Sequence, residues 1–508
     1  MILQILGVLI FLYLLLFLYH EYLDSQRDIN EIALNQQSNI SPTRKEQESA
    51  IYRNNQTPHG MPLITGLQIR HGFRLRNGNL KDVWSVIFAQ KEKSNRISIN
   101  DSDAQYSLDI NNLNGMIKGI ANYFNQEGFE VIGTTLPLFS YHGFILALCC
   151  FFSGFTLHHF AQLPRVQPDV DVMIGYETDL LNIQRLKYKQ IIVVSEDPDK
   201  KYEDDGVKGW SILGNLSELN EEQFKYEYAE KDDQGIPFRQ TNQFLTHEYT
   251  HLNFVSSIAA IVKSIPIGKE IGPRDKILVT QSNDLKQFPK ILATLLLGGS
   301  IVLNSLPISI KETIEIFKPT IVTLDPNSAK QFLENQVISG LQSLKLARSK
   351  HLLSEGIFSS SAALNGFESL RIVYLGNDQA KSQLSSDDLT TLRSLLGSRV
   401  LSERYISGAL GSILNTNFYD YRIFSNDKLI NRGTASLALE LKLFQHKELP
   451  IEQRHGELCI RGFIIGKPVG ENELQRVAKS GTKVGGEGWM PTGIIGKFGN
   501  DGCFYEDQ

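Results

Sequence analysis

The feature that most constrains this chain is an alternation. Apolar, β-branched runs such as "QIIVVSED", "DKILVTQ", "SIVLNSL", "TIVTLD" and "LRIVYLG" recur between amphipathic stretches, among them residues 285–297 and 384–396. A run that is apolar throughout suits a strand buried on both faces, and helices must cover those faces. The alternation therefore predicts a largely parallel α/β architecture, here over residues 76–430. After residue 430 the texture turns to short strands with glycine turns, "LALELKLF", "GELCIRGF" and "GKFGNDGCFY". Residues 431–508 are expected to form a small barrel or antiparallel sheet.

Ahead of the alternation, "MILQILGVLIFLYLLLFLY" is nearly unbroken apolar. At about 1.5 Å per residue, such a helix just crosses a hydrocarbon core of roughly 30 Å. No basic residue precedes it, and "HEYLDSQRD" after it offers no small-residue cleavage site. Residues 1–22 thus read as an uncleaved anchor rather than a signal peptide. Arg27, Arg44 and Lys45 follow the span, which places the body in the cytosol by the positive-inside rule. The sequons at Asn39 and Asn55 then stay unused. Residues 23–75, rich in Asn, Gln, Ser and charge over 24–60, read as a flexible polar tether. A net charge of -5 carries no footprint for nucleic acid. The four cysteines, Cys149, Cys150, Cys459 and Cys503, form no C-x-x-C pair. Neither a zinc ribbon nor a disulfide framework is implied, and a reducing compartment fits.

One motif points elsewhere. His247-Glu248-Tyr249-Thr250-His251 reads H-E-x-x-H. On a helix, two histidines four apart share a face and can hold zinc while the glutamate activates a water. A zinc protease also needs a third ligand. The nearest downstream candidate, Glu270, lies in the Pro- and Gly-marked "SIPIGKEIGPRD", and Ser257 and Ala260 are not ligands. No metal site is expected.

The order of segments resembles the large N-terminal domain of the AMP-forming adenylating superfamily, most nearly the long-chain fatty acyl-CoA synthetases. "AQYSLDINNLNGMIKGIANYF", "LTHEYTHLNFVSSIAA", "LLLGGSIVL", "FKPTIVTLDP", "LRIVYLGNDQ", "GELCIRGFIIG" and "GEGWMPTGIIGKFGNDG" carry the likeness in family order. It implies the layered α/β subdomains and small β-barrel of that fold. His247 then takes the place of the histidine in the family's "LTHxNL" helix, which follows its phosphate loop. The resemblance also implies a nucleotide pocket, whose remnants are Gly235, Pro237, Gly376, Asn377, Tyr405, Thr492 and Gly493.

The chain departs from the family where the chemistry lies. The family's Y-T-S-G-S-T-G-x-P-K-G loop wraps ATP phosphates with small residues, hydroxyls and backbone N–H groups. The corresponding "AEKDDQGIPFRQ" keeps Gly235 and Pro237 but sets Asp232 and Asp233 against an anion and Phe238 in place of the lysine, with Arg239 beside it. Read alone, "EKDDQG" is a solvated surface loop. At Y-G-x-T-E the chain has Tyr405, Ile406, Gly408 and Ala409; at T-G-D it has Thr492, Gly493 and Ile494. Alanine cannot hold magnesium, and isoleucine leaves the ribose hydroxyls unpaired. The likeness ends at "GCFYEDQ", implying that the C-terminal domain with its catalytic lysine is absent. Meanwhile Gly298, Gly299, Gly376 and Gly462 still fit the fold. The expectation is an acyl-CoA synthetase-like pseudoenzyme on the endoplasmic reticulum membrane, with lipid droplets or the nuclear envelope as extensions. It has no catalytic residue, and ATP and magnesium binding are lost. Its partners are the membrane and an acyl lipid, an active synthetase or another membrane protein. The alternatives are a divergent active acyl-activating enzyme, completed in trans by a partner's C-terminal domain, and the zinc protease.

Overall fold

The computed structural model describes the chain except for residues 1, 72, 91–95, 102–103, 198–199, 215–225, 243–244, 281–282, 307, 379–383, 425–427, 447–448 and 508. Among the described residues, one sheet has eight strands and a second has fifteen. The first runs Val207–Gly209, Gln190–Val194, Val172–Tyr176, Val131–Thr134, Thr156–Phe160, Phe238–Asn242, Leu245–Tyr249, Lys467–Pro468. Its first six strands pair in parallel and its last two antiparallel.

The second sheet has a parallel half: Arg399–Arg404, Ile372–Asn377, Ile321–Leu324, Lys276–Val279, Ser300–Asn304 and Arg96–Asn100. These include four of the runs that opened the sequence reading. From Arg399–Arg404 the sheet turns antiparallel through Leu414–Asn415 and Leu429–Ala435 into the expected β-rich end. Gly433 makes that turn possible. Its φ is +76°, and a Cβ there would lie 1.9 Å from the Asn415 carbonyl oxygen, so no other residue fits.

One continuous core joins the two sheets. Ile132, Leu157 and Ile192 of the first and Ile277, Ile301 and Ile372 of the second are buried in it. So are Trp84, Phe144, Phe254 and Phe288 from the helices Leu80–Ala89, Tyr141–Ser153, His251–Ser264 and Phe288–Leu296. Cys149 and Cys150 are fully buried there, as small hydrophobes are expected to be.

The N-terminal region corrects one expectation. Residues 23–75 are not a free tether. Ser38–Ile40 and Tyr52–Asn54 are strands at the edge of the fifteen-stranded sheet. Glu48 forms a buried ion pair with Lys442, and Arg53 bridges to Glu440. Their polarity reflects partners elsewhere in the chain, which composition cannot show. Before them, helix Ile2–Gln26 is exposed from Gln4 to Tyr22 and is long and apolar enough to cross a membrane. Its end is fixed to the body. Asp28 pairs with Arg399 at 3.0 Å, accepts from the Tyr421 hydroxyl at 2.7 Å, and its N–H donates to the Gly356 carbonyl at 3.1 Å.

Candidate functional site

The helix His251–Ser264 organises the site. Thr250 caps it, its hydroxyl accepting from the Asn253 N–H at 3.3 Å while the Asn253 side chain accepts from the Thr250 N–H at 2.7 Å. Thr250-His251-Leu252-Asn253 therefore carries the T-H-x-N start of the helix, and His251, not His247, holds the histidine position. His247 and Glu248 lie on the strand before it. The two histidines of H-E-x-x-H thus straddle a strand–helix junction and share no helix face. Glu248 accepts from Arg239 across the hairpin at 2.8 Å. The His251 Nδ1 accepts the Leu80 N–H at 3.3 Å, and burial drops its pKa to about 4. Among the described residues no group of His, Cys, Asp or Glu is placed to hold a metal ion; the zinc protease reading is not supported.

The stretch read as the phosphate loop does not lead straight into this helix. Its last residues open the arm Phe238–Asn242, and the second arm, Leu245–Tyr249, feeds the cap. Asn242 pairs with Leu245, so two residues, 243 and 244, separate the arms. Nor is "EKDDQG" wholly solvated: Glu230, Lys231 and Gln234 are exposed, but Asp232 and Asp233 are half-buried. It forms a 3-10 turn, Glu230–Asp233, drawn down onto the start of helix Leu80–Ala89. Lys81 contacts Asp232 at 2.9 Å, with the Tyr226 hydroxyl at 3.1 Å. Asn79 and the Tyr228 hydroxyl each donate to Asp233 at 2.8 Å. Burial raises the Asp232 pKa, but Lys81 and the hydrogen bonds outweigh it and hold it below the usual carboxylate value. Gly235 packs on His251, where a Cβ would come 3.0 Å from Nε2. The Pro237 carbonyl accepts from the Leu157 N–H at 3.0 Å.

The other expected residues fall in two places. Gly376 and Asn377 end strand Ile372–Asn377, and Tyr405 follows the neighbouring strand. A Cβ on Gly376 would lie 2.6 Å from the Tyr405 ring, so the ring closes over the glycine. Thr492 and Gly493 sit in strand Met490–Phe498, bonded to the Leu458 carbonyl at 2.7 Å and the Glu457 carboxylate at 3.0 Å. Ile494 is buried in the β-rich core. Ala409, also buried there, bridges to Ile465 and contributes no side-chain oxygen.

Sequence reasoning missed two residues. Lys290 and Glu403, 2% and 4% exposed, form an ion pair at 3.0 Å. The Tyr405 hydroxyl donates to Glu403 at 2.7 Å, and Lys290 also contacts that hydroxyl. The signal was a single lysine inside the apolar helix "FPKILATLL", since a buried lysine is rare unless paired.

Both residues lie on the floor of a cavity of about 340 Å³, within the roughly 300–1,000 Å³ of small-molecule sites. Ala260, Ile261, Leu401 and Phe418 supply apolar wall. Its rim includes exposed Ala33 and Gln56 and half-buried Ile29. Ile29 stands three residues beyond the apolar first helix. On the wall, the Tyr374 hydroxyl and the Asn415 Oδ1 are buried without a hydrogen-bond partner.

This mixed α/β arrangement matches the N-terminal domain of acyl-CoA synthetase-like, AMP-forming adenylating enzymes. The luciferase-like enzyme of the mealworm Zophobas morio superposes with a TM-score of 0.62 at 16% identity, covering 88% of this chain and 99% of that one. A long-chain-fatty-acid-CoA ligase from Archaeoglobus fulgidus gives 0.61 at 14% identity, over 88% and 85%. No protein-family model matches the chain. By sequence it belongs to the family of YHR045W, an uncharacterized protein of Saccharomyces cerevisiae, with 34% identity over 95% of this chain and 94% of the yeast protein.

Proposed function

We propose that this protein is a membrane-anchored, acyl-CoA synthetase-like pseudoenzyme that works by binding rather than by nucleotide chemistry. What it engages is an acyl lipid, an active acyl-CoA synthetase or another membrane protein. The observation that carries the reading is the hairpin before helix His251–Ser264. With Asn242 paired to Leu245, two residues occupy the connection to the strand that feeds the helix, too few to wrap a triphosphate. The acidic turn beside it is held by Lys81 and Asn79. Ala409 and Ile494, packed in the β-rich core, add no magnesium or ribose ligand, so the residues present do not fit Mg-ATP. Supporting the location, the apolar first helix is exposed from Gln4 to Tyr22; we assign it to the endoplasmic reticulum membrane with the body in the cytosol.

Calorimetry of the full chain in nanodiscs tests the central claim. No saturable heat with Mg-ATP is expected; micromolar binding, lost on Gly376→Val, would refute it. Topology has its own measurement: an endoglycosidase-sensitive glycan on Asn39 or Asn55 would place the body in the lumen.

A further inference from the structure

The 340 Å³ cavity has a chemistry of its own. Its floor holds one cation and one anion, Lys290 and Glu403, already paired with each other. A buried carboxylate added beside them would bring an uncompensated charge into a desolvated place, which is strongly disfavoured. An uncharged oxygen meets no such penalty. Two wall groups lack a partner: the Tyr374 hydroxyl, which burial keeps protonated by raising its pKa, and the Asn415 Oδ1, an acceptor. A buried polar group without a partner is costly and rare. Tyr374 can donate and Asn415 can accept, and a hydroxyl, which does both, is a group that either can engage. The rest of the wall, Ala260, Ile261, Leu401 and Phe418, suits a hydrocarbon. At the rim, Ile29 and Ala33 come three and seven residues after the apolar first helix, which keeps the mouth close to the end of that helix.

We propose that this cavity takes a single-chain membrane amphiphile with an uncharged hydroxyl head group, seated on Tyr374 and Asn415 with its chain running out past Ile29 and Ala33. The inference rests on the first helix being membrane-resident, and it narrows the acyl-lipid reading above from fatty acids to long-chain alcohols and their like.

The test uses the full chain in nanodiscs and radiolabelled 1-hexadecanol, with hexadecanoate as competitor at neutral pH. About one hexadecanol per chain is expected to bind saturably, and hexadecanoate should need at least tenfold higher concentration to displace it. Ala260→Leu, which narrows the cavity, should lower affinity at least tenfold. Tyr374→Phe removes a hydroxyl that has no protein partner, so it should leave the unfolding midpoint unchanged while weakening hexadecanol several-fold. Absence of saturable binding overturns the proposal, as does equal affinity in Tyr374→Phe. Tighter binding of hexadecanoate without pyrophosphate release on adding Mg-ATP overturns this inference alone. Hexadecanoate binding with pyrophosphate release would overturn the pseudoenzyme reading as well.

Discussion

The two ends of helix His251–Ser264 have been treated differently. At its N-terminus the side chains are engaged with one another: Thr250 and Asn253 cap each other, His251 accepts from Leu80, and the Asp232–Asp233 turn is tied to Lys81 and Asn79. A helix N-terminus is where anions bind most readily, and here the protein's own carboxylates crowd that region. At the other end, Ser257, Ala260, Ile261 and Ser264 face open volume. A scaffold can thus lose one site by filling it while keeping room elsewhere.

Four measurements sharpen or break this contrast. The largest effect is expected from Lys290→Met, which strands buried Glu403 and should cost about 3–5 kcal/mol in urea unfolding. Adding Glu403→Leu should restore much of it. A cost under about 1 kcal/mol would mean the cavity floor is wet. Next is acid. Buried, neutral His251 has its pKa near 4 against 6.5 when exposed. The unfolded chain therefore takes up a proton that the folded one refuses, so this contribution is full above pH 6.5 and fades as pH falls toward 4. From pH 7 to 5 it should remove about 2 kcal/mol. His251→Asn, which keeps an acceptor for Leu80, should show a loss smaller by that amount. Third, Asp232→Ala frees Lys81 and the Tyr226 hydroxyl and should cost about 1–2 kcal/mol; no loss would show the closed end to be ornamental. Smallest is Ala260→Leu, which adds methyl groups at the open end and should shift stability by less than about 1 kcal/mol. A cost as large as that of Lys290→Met would show the cavity to be an already packed wall.

Much of the architecture was legible because periodicity reports burial. The runs "DKILVTQ", "SIVLNSL", "TIVTLD" and "LRIVYLG" are adjacent parallel strands, and "AQYSLDINNLNGMIKGIANYF" is a strand followed by helix Ile110–Glu127. The H-E-x-x-H stretch misled because spacing alone does not say where a helix begins. The deciding signal was Thr250 three residues before Asn253, a capping pair that starts the helix after His247. The acidic turn misled for another reason. Asp232 and Asp233 look solvated until Lys81 and Asn79, about 150 residues upstream, are brought against them. Lys290 and Glu403 are likewise 113 positions apart in the sequence, and only the fold makes them neighbours.

The edge strands near the N-terminus have a consequence in time. Ser38 bonds to Gly502 across 464 residues, and Tyr52 pairs with Leu441. At about 5–20 residues per second, synthesis of that interval takes roughly 25–90 s. Throughout that delay the segment directly behind the apolar first helix must remain unpaired in water without aggregating. Its Asn, Gln, Ser and charged residues suit such a wait, giving little apolar surface for a stray strand to grip.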